Sequence, residues 1–260
     1  MRNQYEHTRI EDIIEHNENM RSFVFDDLFK SKPGQFAMVW LPGIDEKPIS
    51  LSGKTRISVK KVGPFTEKLF EKSKGDYLDI RGPYGNGFTE MGYSTLIGGG
   101  CGIAPLAYFF SESKLPFLSF VLAGKTRNEL IFLDDLIANE QLKAGNNNCI
   151  FTVTEDGSEG KKGLVTDIEI PKAAGNYYIC GPEIMMAKVA EKLVSQGADP
   201  SKIYLSMERY MKCAMGICGN CSFDGYRVCA DGPVFRYDQV KDLPHFNKLH
   251  RTRTGELIEK

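Results

Sequence analysis

The 260-residue chain is predicted to be a multi-domain α+β protein with three parts. Short segments rich in β-branched and aromatic residues, separated by glycine and proline, predict a small antiparallel β-barrel over residues 1–92. Strands that alternate with helices predict a doubly wound α/β domain with a parallel sheet over residues 93–209. Four of the seven cysteines fall in the remainder, which predicts a cysteine-rich module over residues 210–260.

Charge and hydropathy narrow the class of protein. The formal net charge is -1, so no overall field favours nucleic acid or an anionic lipid surface, and neither partner is expected. The opening stretch "MRNQYEHTRIEDIIEHNENMRSF" has no uninterrupted apolar core and resembles neither a signal peptide nor an anchor. No later apolar run is long enough to span a bilayer. We therefore expect a cytoplasmic protein, in which clustered cysteines are more often metal ligands than disulfides.

The barrel is predicted from five strand-like segments and one helix. Gly and Pro punctuate these segments, as expected of short strands joined by turns. The predicted strands are 21–27, 34–42, 49–53, 56–63 and 76–82, and the helix is Phe65–Lys72.

The α/β domain is predicted from the change of pattern after Tyr93. A strand, a glycine turn and a helix are expected over 94–113, and the same three elements recur over 176–197. Between and after them the prediction places a strand at 117–124, a helix at 130–142, a strand at 148–157, a short element at 164–170 and a closing strand at 202–211.

The four clustered cysteines have the spacing C-x4-C-x2-C-x7-C, which is typical of a plant-type [2Fe-2S] cluster. Two bridged irons need two pairs of thiolates, and a tight loop can point its N–H groups at the sulfurs. Gly216 and Gly219 permit such a loop because glycine adopts left-handed angles at no steric cost. The predicted ligands are Cys213, Cys218, Cys221 and Cys229. Structural zinc and unligated cysteines stay open as alternatives, although zinc ligands usually come as two separated short pairs.

Two glycine-containing turns are candidates for nucleotide binding. The first lies between a buried strand and a helix, where backbone N–H groups could receive a pyrophosphate. It is not the G-x-G-x-x-G fingerprint, and a purely structural tight turn stays open. Its glycines are Gly98, Gly99, Gly100 and Gly102. The second turn, Cys180-Gly181-Pro182, comes later in the same predicted sheet, so both could open on its carboxyl edge.

These motifs, in this order, resemble the ferredoxin–NADP reductase superfamily, which joins a flavin-binding barrel to a nicotinamide-binding α/β domain. The flavin motif R-P-x-S of that superfamily is Lys47-Pro48-Ile49-Ser50 here. Within it, the chain is most similar to the electron-transfer subunits of class B dihydroorotate dehydrogenases. Stretches that carry this likeness are "KPISLS", "GPYGNGF", "GGGCGIAPL", "CGPEIMM", "SMERYMKCAMGICGNC" and "VCADGPVF".

The resemblance implies a role for each matching residue. Lys47, Pro48, Ile49 and Ser50 would flank the FAD ring system, with Ser50 near its reactive edge. Phe65 and Thr66 would hold the FAD pyrophosphate. The glycines of the first turn would receive the nicotinamide nucleotide. Gly181 and Pro182 would complete that site, and Cys180 would sit where nicotinamide meets flavin.

Three residues depart from the family pattern. Lys47 replaces an arginine, which keeps the charge but loses the two-pronged geometry of a guanidinium. Phe65 stands where a glycine is usual, so we expect it to hinder a close approach of phosphate to the backbone. Ala214 stands where glycine usually follows the first cysteine, and a left-handed angle there would cost about 1 kcal/mol.

The resemblance implies an electron path rather than a self-sufficient enzyme. Nicotinamide moves two electrons as hydride, a cluster moves one, and a flavin does both. We see no acid–base constellation for an organic substrate, so a partner is expected: an FMN-containing dihydroorotate dehydrogenase catalytic subunit, two of each chain forming a heterotetramer. Rival partners are those of a ferredoxin:NAD(P)H oxidoreductase, a sulfide dehydrogenase or a hydrogenase. A zinc-stabilised binding module is the non-enzymatic alternative.

Overall fold

The computed structural model describes residues 4–28, 30–89, 92–113, 118–138, 149–172, 175–252 and 254–259. Six antiparallel strands close into a barrel in the order β1-β2-β5-β4-β3-β6. These strands are β1 (Glu6–Asn17), β2 (Met20–Phe25), β3 (Phe36–Leu41), β4 (Asp45–Gly53), β5 (Arg56–Lys60) and β6 (Tyr77–Tyr84). Helix α1 (Pro64–Phe70) connects the last two. The predicted antiparallel barrel is confirmed.

Strand β1 was absent from the prediction, although it pairs with both β2 and β6 and thereby closes the barrel. Its sequence, EHTRIEDIIEHN, carries charged side chains that face solvent, and only Ile10 and Thr8 are buried. Charged residues are uncommon in strands, so the local sequence does not predict β1.

The second unit is a seven-stranded sheet in the order β10-β9-β8-β7-β11-β12-β15. All neighbours are parallel except β12 and β15. The strands are β7 (Ser94–Gly99), β8 (Leu118–Gly124), β9 (Cys149–Thr154), β10 (Lys161–Lys162), β11 (Tyr177–Cys180), β12 (Ile203–Ser206) and β15 (Val234–Arg236). The helices are α2 (Ile103–Glu112), α3 (Leu133–Ala138) and α4 (Glu183–Ser195).

Helices cover both faces of this sheet. Leu106 of α2 and Leu133 of α3 pack on one face, while Met186 and Val189 of α4 pack on the other. The predicted doubly wound α/β fold is therefore confirmed. The prediction extended the third helix to residue 142, and residues 139–142 lie outside the described part of the chain.

The cysteine segment adds small elements of its own. A hairpin of β13 (Ser222–Phe223) and β14 (Tyr226–Arg227) precedes the short helices α5 (Val228–Asp231) and α6 (Tyr237–Val240). In the tail, where the sequence shows no periodicity, β16 (Leu249–Arg251) and β17 (Leu257–Glu259) form a second hairpin. None of the helices in the described ranges is long and apolar enough to cross a bilayer.

One hydrophobic cluster joins all three parts of the chain. It contains Phe36 and Tyr84 from the barrel, Ile179 from the sheet, and Cys221 and Phe223 from the cysteine segment. Because β15 also extends the central sheet, the cysteine segment is part of the common core rather than an appendage.

Gly85 lies where the barrel packs closely against the cysteine segment. Gly85 has φ +76, and a Cβ placed there would collide with Pro233 and lie 2.8 Å from the Gly232 carbonyl oxygen. Gly43 has the same φ, with no atom within 4 Å of such a Cβ. Gly43→Ala should therefore destabilise the fold only through the left-handed backbone angle, by about 1 kcal/mol. Gly85→Ala should destabilise it by a further amount of roughly 1–3 kcal/mol through overpacking.

We expect Gly85→Ala to lower the free energy of unfolding, measured by urea denaturation, by clearly more than Gly43→Ala. Equal losses in the two variants would contradict the close packing of the barrel on the cysteine segment.

Candidate functional site

The four clustered thiols lie in a loop whose backbone N–H groups point at sulfur. Cys213 Sγ accepts hydrogen bonds from the N–H groups of Met215 and Cys218, both at 3.4 Å. Cys229 Sγ accepts one from Gly216 N–H at 3.2 Å. Such bonds stabilise thiolate and offset the negative charge of a metal–sulfur centre. Gly216 and Gly219 have φ +75 and +73, as a loop that turns its amides inward requires.

The thiols are arranged as two pairs, Cys213 with Cys218 and Cys221 with Cys229. Burial tends to raise the pKa of Cys213, but the surrounding backbone N–H groups outweigh it and lower the pKa to about 7. A hydrogen bond from the Cys229 thiol lowers the pKa of Cys221 to about 6, and the same bond raises the pKa of Cys229. Two pairs of thiolates are what a two-iron cluster takes.

Within the described ranges, no three His, Cys, Asp or Glu side chains converge on a single ion position. The donor set that the loop does offer is four thiols in two pairs, with amides directed at the sulfurs. This chemistry fits a [2Fe-2S] cluster.

Ala214 adopts the left-handed conformation expected of the glycine that it replaces, with φ 60. Its methyl group is 1% exposed and lies in the shared hydrophobic cluster. Burial of a methyl contributes roughly 0.8 kcal/mol, which offsets most of the strain of about 1 kcal/mol. Alanine is therefore accommodated at this position of the loop with little net strain.

The hairpin between the third and fourth cysteines returns the chain to the cluster loop. Asp224 and Gly225 occupy its turn with φ 44 and 94, the angles of a two-residue turn that suits the twist of the strands. Cys221 O then accepts from Val228 N–H at 3.3 Å, so Cys229 lies beside Cys221. The dipeptide Asp-Gly between apolar residues is a hairpin signal that the sequence analysis missed.

The two glycine turns meet at the carboxyl edge of the parallel sheet. Cys180 is aligned with Gly98 on one neighbouring strand and with Ser206 on the other. A Cβ at Gly102 would collide with the Cys180 carbonyl, and one at Gly99 would collide with Met185. Gly102 is therefore needed for the packing of one turn against the other, whereas the flexible end of the Met185 side chain could move away from a Cβ at Gly99.

Gly100 differs from its neighbours. It has φ +54, and no atom lies within 4 Å of a Cβ built on it. It opens into a cavity of about 480 Å³ between the barrel and the sheet. Lys60, at the end of β5, lines the same cavity, as do Cys101 and the β1–β2 turn. Lys60 Nζ lies 3.5 Å from Oε1 of Glu129, which lines the same cavity, so Lys60 reaches a nucleotide phosphate at the exposed Gly100 backbone only by leaving this ion pair. Lys60 could not be predicted at this site from the sequence, because β5 and the turn are distant in the chain.

Two thiols at this edge stay neutral at physiological pH. Burial, with the negative charge of Glu208, raises the pKa of Cys101 to about 12. The same two causes raise the pKa of Cys180. Cys180 is 3% exposed, so it presents an uncharged sulfur rather than a nucleophilic thiolate.

The predicted flavin motif lies on β4, where Lys47, Pro48, Ile49 and Ser50 pair with β3. Lys47 Nζ is 2.7 Å from Asp45 Oδ2 and 4.5 Å from the centre of the Tyr210 ring. Ser50 is half-buried, opposite Phe36 on β3. Helix α2, which begins directly after the glycine turn, packs against β4. The flavin motif on β4 and the glycine turn before α2 therefore lie on the same side of the barrel.

Phe65 and Thr66 in α1 both use their side chains within the barrel. The Phe65 ring is 6% exposed and belongs to the barrel core, so it does not cover the helix start as expected from the sequence. Thr66 Oγ1 accepts from Val62 and Gly63 N–H groups and donates to Gly63 O. This uses the full capacity of the hydroxyl. Pro64 has no N–H and Glu67 N–H donates to Gly63 O, so the N–H groups of Phe65 and Thr66 are the candidate donors to a phosphate.

Two family models match the chain. The model described as the iron-sulfur cluster binding domain of dihydroorotate dehydrogenase B matches residues 208–241. The model described as the oxidoreductase NAD-binding domain matches residues 96–191. The first covers all four clustered cysteines, and the second covers both glycine turns.

Two curated relatives carry the name "Probable dihydroorotate dehydrogenase B (NAD(+)), electron transfer subunit". The chain is 45% identical to the protein from Pyrococcus horikoshii, covering 92% of both chains. It is 43% identical to that from Methanocaldococcus jannaschii, covering 96% of both.

Solved structures agree in fold. The structure of an NADH-dependent reduced ferredoxin–NADP oxidoreductase that bears on flavin-based electron bifurcation has a TM-score of 0.75 and 26% identity, covering 92% of each chain. The FAD/NAD binding domain of a nitric oxide dioxygenase from Vibrio cholerae has a TM-score of 0.66, covering 78% of this chain and 98% of the other, and at 21% identity shows the fold alone. Together with the cysteine loop and the two glycine turns, these likenesses show that the chain belongs to the family of electron transfer subunits of dihydroorotate dehydrogenase B.

Proposed function

We propose that this chain is the electron transfer subunit of an NAD-dependent dihydroorotate dehydrogenase. It passes electrons from the FMN of a catalytic subunit through a [2Fe-2S] cluster and FAD to NAD+, in pyrimidine biosynthesis. The single observation that carries the proposal is the cysteine loop, whose paired thiols and inward amides suit a two-iron cluster. The family model over residues 208–241 and the named relatives support it.

The rival assignments are not favoured. The curated relatives cited above are dihydroorotate dehydrogenase subunits rather than ferredoxin, sulfide or hydrogenase proteins. The ferredoxin–NADP oxidoreductase structure is similar at lower identity, 26%. A zinc-stabilised binding module would leave both nucleotide-type turns without a purpose.

We assign the three parts of the chain to three groups. FAD would bind residues 1–92, NAD residues 93–209 and the cluster residues 210–260. The proposed cluster ligands are Cys213, Cys218, Cys221 and Cys229. The proposed FAD residues are Lys47, Pro48, Ile49, Ser50, Phe65 and Thr66, the last two through backbone N–H groups. The proposed NAD residues are Gly98, Gly99, Gly100, Gly102, Gly181 and Pro182, to which the cavity adds Lys60.

FAD supplies the conversion between hydride transfer and single-electron transfer. Residues of the protein would form the surroundings of the flavin. Ser50 offers a hydroxyl from β4, and Cys180 offers a buried, uncharged thiol at the edge of the sheet. A neutral sulfur adds no negative charge beside the flavin, so it does not oppose the arrival of electrons.

The cluster loop also provides a contact for the partner. Ile217 is 79% exposed, next to the exposed ligand Cys218. An exposed isoleucine beside a metal ligand is a suitable anchor for a docking partner. We propose that the FMN-containing subunit covers this loop and that two of each chain form a heterotetramer. We also propose a cytoplasmic location, because clustered cysteines that serve as metal ligands suit a reducing compartment.

The cavity assignment predicts a specific loss of nicotinamide affinity. Removing a cation that contacts phosphate costs about 1.5 kcal/mol, or roughly tenfold in Kd. We expect Lys60→Ala to weaken NADH binding to this extent in isothermal titration calorimetry of the FAD-loaded chain. Lys61→Ala is the control, since Lys61 Nζ lies 5.5 Å from the Phe70 ring centre instead. If the two variants bind NADH equally well, the assignment is wrong.

The docking assignment predicts that Ile217→Asp impairs the complex. We expect a tagged chain to co-purify with an FMN-containing subunit from its native source and to support dihydroorotate-dependent NAD+ reduction. A charge buried in the interface should weaken association at least tenfold. Ile137→Asp is the matched control, because Ile137 is also an exposed isoleucine, at 54%, but lies on α3, away from the cluster loop.

Light scattering of the purified complex measures whether it contains two of each chain. Association unchanged by Ile217→Asp would contradict docking at the cluster loop. Co-purification with a hydrogenase or sulfide dehydrogenase subunit instead would overturn the assignment of function.

A further inference from the structure

Arg81 is a buried arginine on the barrel whose role the cofactor motifs do not explain. It lies on β6 and is 5% exposed. Its guanidinium forms a two-pronged ion pair with Glu46 on β4: Nε lies 2.5 Å from Oε1 and Nη2 lies 2.8 Å from Oε2. Burial alone would lower the pKa of Arg81, but the hydrogen bonds with Glu46 and Tyr84 raise it, so the guanidinium stays protonated.

The remaining donors of Arg81 reach the start of the cluster loop. Nη1 donates to the Tyr84 hydroxyl at 3.0 Å and to Cys213 O at 2.9 Å. Nη2 donates to Lys212 O at 2.9 Å. With the two bonds to Glu46, these account for all five N–H donors of a guanidinium. The charge is therefore fixed in position against the backbone of the first predicted ligand.

A fixed charge beside a redox centre changes its reduction potential. Reduction of the cluster adds one negative charge, which a nearby cation stabilises and a nearby anion destabilises. The effect is strong because the pair is largely shielded from water: the Arg81 and Glu46 side chains are 6% and 17% exposed. Arg81 and Glu46 thus act in opposite directions on the same centre.

We propose that Arg81 is a positioning residue for the cluster and that the Arg81–Glu46 pair sets the cluster's reduction potential. The guanidinium holds the carbonyl groups of Lys212 and Cys213 against the barrel, which fixes the first ligand relative to the proposed flavin site. The balance of the two charges then determines how readily the centre accepts an electron. This inference rests on the proposed function, because it requires that the cluster be bound at Cys213.

The test is an EPR-monitored redox titration of the cluster-loaded chain. Glu46→Gln leaves the cation uncompensated, so we expect a higher midpoint potential. Arg81→Gln leaves the Glu46 carboxylate with the neutral Tyr5 hydroxyl but without its cation, so we expect a lower midpoint potential. The two variants should differ by at least tenfold in the equilibrium constant for one-electron reduction, which is about 59 mV. A purely structural role would not move the potential in opposite directions.

Two further variants extend the titration to the case in which Arg81→Gln fails to fold or to hold a cluster. Arg81→Lys keeps the charge and loses the fork, so we expect a near-normal potential with a broadened EPR spectrum from a less ordered loop. Arg56→Gln is the control: Arg56 donates to Ser52 O and lies over the Phe132 ring, and its loss should leave the potential unchanged.

Failure of this inference is distinguishable from failure of the proposed function. A wild-type chain without iron and sulfide would overturn the proposed function. If the wild-type chain holds a normal cluster and neither Glu46→Gln nor Arg81→Gln moves its potential, only the role of the Arg81–Glu46 pair is overturned. If Arg81→Gln does not fold or hold a cluster, an unchanged potential in Glu46→Gln overturns that role.

Discussion

The arrangement of the three parts depends on the hydrogen bonds between Asn86 and the segment that follows the last clustered cysteine. Asn86 N–H donates to Gly232 O at 2.7 Å, and its side-chain amide donates to Asp231 O and Val234 O. Val234 N–H returns a bond to Asn86 Oδ1 at 3.0 Å. Each bond contributes about 1 kcal/mol net, and together they fix the barrel to the strand β15 that extends the central sheet.

This contact makes the cysteine segment a fixed element rather than a mobile carrier. Arg81 holds the segment at its first cysteine, and Asn86 holds it just after the last. Both residues belong to β6 or to the loop that follows it, so one stretch of the barrel determines the position of the whole cluster loop. Electron transfer between fixed centres needs no domain motion, which suits the proposed transfer of electrons between two flavins.

Much of the fold could be predicted from local sequence. Alternating strands and helices indicated the doubly wound sheet because each element carries its own apolar pattern. The spacing of four cysteines indicated the cluster because ligand geometry constrains spacing directly. Strand β1 escaped prediction, since its solvent-facing side chains are charged and its pairing with β6 is remote in sequence.

The parts of the site that could not be predicted are those made by contacts remote in the chain. Arg81 and Cys213 are far apart in sequence, as are Lys60 and Gly100. No local pattern therefore predicts that either pair lies together. The role of Gly102 was also incompletely predicted, because a glycine needed for turn packing resembles one needed for a ligand. Phe65 shows the converse: its ring turns into the barrel core, where the sequence suggested an obstacle at the surface.

The central claim is that one chain joins two-electron nicotinamide chemistry to a one-electron cluster. An anaerobic titration of the purified, reconstituted chain with NADH tests it most directly, with flavin absorbance and cluster EPR followed together. The wild-type chain should take up about three electrons, two in the flavin and one in the cluster. Cys218→Ser should take up about two, and Cys149→Ser, which alters an exposed cysteine outside the loop, should behave as wild type. A flavin that NADH bleaches while the wild-type cluster stays oxidised, or a chain that binds neither group, would contradict the claim.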